Sequence, residues 1–118
     1  MPNHPSDRIS SALCEIERTE KLLLNSAERV TADNANIFPF DFLANAAINR
    51  SVAISTGFRT LIRDQNFICA GALIRLHLDT VLRFMAGFIV DKPHEFATSV
   101  MGGKRINKNE RLKWENYA

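Results

Sequence analysis

This chain is poor in the motifs that carry chemistry. No pair of His, Cys, Asp or Glu residues has zinc-site spacing, so neither a metal nor any other cofactor is expected. No glycine-rich phosphate loop follows a strand, no Gly-x-Ser-x-Gly elbow is present, and no Cys–His nucleophile arrangement can be placed. No catalytic residue is therefore assigned. Cysteine is limited to Cys14 and Cys69, both inside predicted helices in apolar surroundings; reduced core thiols of a cytoplasmic protein fit this better than a disulfide. The charge excess is only +2, with a pI near 8.7, whereas nucleic-acid binders usually carry a stronger or more concentrated imbalance. The opening residues, Met1 to Arg8, hold no apolar h-region, which argues against a secretory signal. Strand-like alternation, internal repeats and low-complexity tracts are all missing. What remains is an all-α chain of 118 residues, one domain spanning 1–118 with room for a single modest core.

What is present is apolar surface at helical spacing. Asn66 to Val90 is an almost unbroken apolar run that carries Arg75, Asp79 and Arg83. At about 100° per residue these three charges fall on one line, each four residues from the next. The rest of the circumference is Leu, Ile, Phe, Met, Val and Ala, so this helix is expected at the centre of a bundle, wrapped by others. The run is long enough to span a bilayer. Its three charges, at about 2.5–3.5 kcal/mol each on insertion, and the polar His77 argue against that, and no membrane association is expected.

A first helix is predicted from about Ser6 to Ala32. Ile9, Ile16, Leu23 and Val30 recur every seven residues as a coiled-coil-like seam, and Glu15, Glu17, Arg18, Glu20 and Lys21 read as its solvated face. Asn34, Asn36 and Pro39 break the pattern, because proline disfavours the α conformation at Phe38. Asp41 is placed as the cap of a second helix running to about Asp64. Its apolar face is Leu43, Ala47, Ile54, Phe58 and Leu61, with Arg59 on the opposite side. The small clusters Ala44, Ala46, Ala47 and Ala70-Gly71-Ala72 suit close backbone approach. A short helix follows within the segment from Asp91 to Gly103, started by Pro93 and Glu95 and ended by Gly102 or Gly103. Asn107 and Glu110 have capping-box spacing and open a last helix through Leu112, Trp114 and Tyr117. The expected fold is a bundle of three long helices plus two short ones.

The lengths do not match. At 1.5 Å per residue the long helices reach roughly 35–40 Å, and the last one only about 16 Å. Half the bundle then lacks a covering helix. The expectation is either that this chain is the N-terminal part of a longer bundle or that a second copy covers the gap, with the seam Ile9, Ile16, Leu23, Val30 as the dimer surface.

The charged line has two readings. It is either a buried network in which Asp79 is held between Arg75 and Arg83, or an anion site built on the two arginines, with Arg50 of the second helix joining it. His77 stands only two residues from Asp79, but that is about 200° of helix, so the two side chains leave opposite sides. His77 reads as a satisfied core histidine. Lys104, Arg105, Lys108, Arg111 and Lys113 with Trp114 form the densest basic patch, read as a solvated face tempered by Glu110 and Glu115.

The segment LIRLHLDTVLRFMAGFIV resembles the central helix of a group of uncharacterised bacterial all-helical proteins loosely allied to HEPN domains, many of which are RNA-cleaving toxins or defence proteins. There an Arg is followed four residues later by Glu or Asp and then by an aromatic-rich stretch, which Arg75 and Asp79 match here. The resemblance implies a HEPN-like helical domain that binds or processes RNA. The HEPN signature, an Arg followed after four to six residues by His, is absent: neither His77 nor His94 has such an Arg upstream. The leading expectation is a non-enzymatic helical interaction or regulatory module that acts through self-association or a helical protein partner. The HEPN-like RNA reading is the alternative.

Overall fold

The computed structural model describes residues 4–33, 38–90 and 92–103, and every element among them is an α-helix. They are α1 (Pro5–Asp33), α2 (Pro39–Arg63), α3 (Phe67–Ile89) and α4 (Pro93–Met101). The helix expected after Asn107, with Trp114, Tyr117 and the basic patch, lies outside the described residues. Among the described residues no helix is long and apolar enough to cross a membrane.

Local chemistry sets the ends. Phe38 is extended (φ −96°, ψ 157°), as the following proline demands, and Pro39 starts α2 with a preset φ. Asp41 is not the cap itself. It sits inside the first turn, and its Oδ2 accepts the Phe38 N–H at 2.9 Å, which satisfies a donor the helix leaves orphaned. At the other end the Asn66 N–H donates to Leu61 O (2.8 Å) and the Gln65 N–H to Ile62 O (3.1 Å). This is a Schellman closure with Gln65 in the left-handed region, φ 59°. Asn66 then caps α3, its side chain accepting the Cys69 N–H at 3.3 Å.

The centre of the molecule is α2, not α3. It packs against α1, α3 and α4, while α1 and α3 scarcely touch each other. The expectation that α3 is wrapped on all sides is therefore corrected: it buries only Ala70, Thr80, Ala86 and Gly87. The best-packed cluster lies where α4 closes the α2–α3 pair. Phe96 is fully buried there with Ala86 and Val90, against Leu43 and Val100. Beside it Phe40, Phe84 and Phe88 form an aromatic trio with ring centroids 5.2–5.7 Å apart, the spacing at which ring quadrupoles attract. Gly87 makes this possible, since a Cβ at that position would overlap the Phe40 ring. Gly71, by contrast, meets no close neighbour among the described residues, so it serves no close approach between the described helices. Cys14 and Cys69 are both exposed free thiols rather than core thiols.

Candidate functional site

The charged line forms on the surface. Arg83 Nε donates to Asp79 Oδ2 at 2.8 Å, and both side chains are at least half exposed. Arg75 is exposed and has no ion pair among the described residues. A buried network clamped by two arginines is thus excluded, because α3 turns only its α2-facing flank inward. Arg50 reaches across from α2 and its Nε donates to Thr80 Oγ1 at 2.9 Å, while Thr80 donates to Leu76 O at 3.0 Å. Arg50, Asp79, Thr80 and Arg83 then border one open cleft of about 300 Å³, backed by Leu43, Phe84 and Val100. The structure brings Arg50, Asp79 and Arg83 together and leaves Arg75 out, one turn along α3. Two guanidinium groups against one carboxylate give this cleft a net positive charge, suited to an anion.

A second buried polar site, an ion pair, lies elsewhere and joins α1 to α2. Glu20 is 6% exposed. Its carboxylate accepts a fork from Arg59, Nε at 2.9 Å and Nη2 at 2.8 Å, and a third bond from Ser55 Oγ at 2.6 Å. Glu17 stands 3.7 Å from the same guanidinium. Bidentate geometry is the strong form of this pair. The bonds from Arg59, helped by Ser55, hold the Glu20 carboxyl below its ordinary value although burial pushes it up; the same pair raises Arg59. Glu20 and Arg59, both read from the sequence as solvated, instead form the internal tie of the fold. A signal was available: Glu20 lies four residues after Ile16 and three before Leu23, on the seam rather than off it.

Because α1 and α3 diverge over α2, an open apolar groove of about 470 Å³ runs between them. Ile16 and Leu23 of α1, Ile54 and Phe58 of α2, and Leu73 and Ile74 of α3 line it. The seam on α1 therefore faces this groove at Ile16 and Leu23, Ile9 is exposed, and the Val30 side chain lies outside the described residues. His77 also borders the groove. It is half-buried, and its Nδ1 is buried without a hydrogen-bond partner among the described residues, so it is not the satisfied core histidine expected.

Next to the groove α3 shows a continuous outward row. Phe67, Gly71, Ile74, Leu78, Val81, Met85 and Phe88 alternate in steps of four and three, the heptad rhythm of a helix-pairing seam, and all seven are exposed. Ile68 (90% exposed) and Leu82 (56%) widen it. No protein-family model matches this chain, and neither a curated protein nor a solved structure matches it. The site is therefore read from its own geometry: an apolar channel with a heptad row along its rim, and a small cationic cleft on the far flank of α3.

Proposed function

We propose that this chain is a helical interaction module that works by laying the outward face of α3 against a further helix, in a second copy or in a protein partner. The observation that carries this is the exposed heptad row. An apolar patch of this extent is uncommon on a free monomer, and among the described residues the groove beside it has the form of a bundle that lacks one helix. Nothing in this reading requires a catalytic group. Sedimentation velocity over a micromolar concentration range tests it, with Leu78→Glu as the control. The native chain should associate as concentration rises, and the variant should stay monomeric with an unchanged helical circular dichroism signal. Ideal monomers from both at every concentration would overturn the second-copy form of the reading, and native partner binding retained in Leu78→Glu would overturn the protein-partner form.

A second reading, a HEPN-like RNA-binding domain, draws support from the convergence of Arg50 and Arg83 on one cleft beside Asp79. It requires RNA affinity that falls steeply with salt, since released counterions drive such binding. A titration with mixed RNA at low and moderate salt tests it, with Arg50→Ala/Arg83→Ala as the control. No binding at low salt removes it.

A further inference from the structure

Resting on the α3 face being an interaction surface, we infer that the helix it receives is α3 of a second copy, running antiparallel about a two-fold axis at Leu78. Size is the first argument. The row runs from Phe67 to Phe88 with Leu78 at its middle. Antiparallel pairing sets Phe67 opposite the partner's Phe88, Ile74 opposite the partner's Val81, and Gly71 opposite the partner's Met85. Among the described residues Gly71 has nothing within 4 Å of where a Cβ would stand, so it leaves a recess on this face that a long, flexible methionine fills. A parallel pairing stacks Gly71 on Gly71 and Met85 on Met85, leaving a gap at one level and crowding at the other.

Charge is the second argument. Arg75 flanks the row, exposed and without an ion pair among the described residues. In the antiparallel register it lies about 3 Å along the axis from the partner's Asp79, at a rise of 1.5 Å per residue. That is within reach of an arginine. The two-fold repeats the contact, giving a small cross-dimer network of Arg75, Asp79 and Arg83 from each copy. Parallel pairing instead sets Arg75 beside the partner's Ala70, which offers no carboxylate. Opposed helix dipoles favour the antiparallel arrangement as well.

Area is the third. The row and its flanking Ile68 and Leu82, most of them half exposed or more, present on the order of 500 Å² of apolar surface per copy. Two copies then bury on the order of 1,000 Å², the lower bound for a specific interface. This assigns the charged line a role that neither a buried network nor an anion cleft gave it: setting the register of a homodimer.

Site-directed cross-linking tests the pairing in a Cys14→Ser/Cys69→Ser background. A disulfide needs Cα atoms within about 7 Å, whereas two copies of position 74 in the antiparallel register lie about 10–12 Å apart along the axis. Chains carrying Ile74→Cys mixed with chains carrying Val81→Cys should therefore cross-link under mild oxidation. Ile74→Cys alone should not, and Leu78→Cys alone should. Reversing the charge in Arg75→Glu should weaken the dimer several-fold, and Arg75→Glu/Asp79→Arg should recover most of the loss. Self-cross-linking of Ile74→Cys as fast as the mixture overturns the antiparallel register in favour of a parallel one. A dimer that Leu78→Glu abolishes but that gives no cross-link between positions 74 and 81 overturns the pairing while leaving the α3 face as the interface. A chain that stays monomeric in sedimentation overturns it outright.

Discussion

Removing the Glu20 carboxylate is the sharpest perturbation of the fold that the structure offers. Glu20→Ala leaves the Arg59 guanidinium, only 11% exposed, with Glu17 at 3.7 Å as its remaining partner. It also leaves Ser55 Oγ without its acceptor. Breaking a fully buried ion pair costs about 3–5 kcal/mol. Here the groove admits solvent beside the pair and Glu17 offsets part of the lost charge, so a loss of about 2–3 kcal/mol is expected. Glu20→Leu combined with Arg59→Met, which removes both charges, should recover most of it, because an apolar replacement of a buried pair is often neutral. The pH dependence carries its own sign. The folded-state Glu20 carboxyl is depressed, chiefly by the Arg59 hydrogen bonds. Its contribution is therefore complete above the ordinary glutamate value and is lost as pH falls through the lower folded one. Urea unfolding of the native chain and of Glu20→Gln should show a stability gap that is widest near neutrality and closes in strongly acidic solution. A loss below about 1 kcal/mol for Glu20→Ala, or a gap independent of pH, would refute the reasoning.

Other substitutions separate the remaining contributions. Asp79→Ala removes a solvent-exposed i, i+4 pair, so its monomer stability should change by less than about 1 kcal/mol in a thermal melt; a loss of 3 kcal/mol or more would restore the buried-network reading. Gly87→Ala drives a methyl group into the Phe40 ring and should cost about 1–3 kcal/mol by overpacking, whereas no loss in denaturant titration would show that the aromatic trio yields freely. Gln65→Gly relieves a left-handed residue at the α2–α3 turn and should stabilise by about 1 kcal/mol, a gain that a lowered melting temperature would contradict.

The helices were legible because proline, asparagine and glycine punctuate them. Phe38-Pro39, Asn66, Pro93 and Gly102 each stand at or within a residue of an observed end. Their arrangement was harder to see. The all-round apolar character of α3 pointed to a central helix, but a helix whose outer face meets another helix between chains has the same composition as one buried within a chain. The Glu20–Arg59 tie was hidden because a charge on a helix is usually solvated. Its clue was position on the α1 seam, and the partner on α2 came from a crossing that sequence spacing does not specify. Among the proposed site residues, the i, i+4 relation of Asp79 and Arg83 followed from helical geometry alone, whereas the approach of Arg50 to Thr80 depended on how α2 and α3 face each other.

Methionine oxidation tests the central claim, that the outward face of α3 pairs with a second copy, most directly. Met85 lies in the row and Met101 lies on α4, and the two are equally open in the isolated chain, at 53% and 58% exposure. Each thioether reacts with peroxide to a degree set by its access. At low concentration both should oxidise at similar rates, and as the chain is concentrated Met85 should become protected while Met101 stays reactive. Equal reactivity of the two at every concentration would contradict the account.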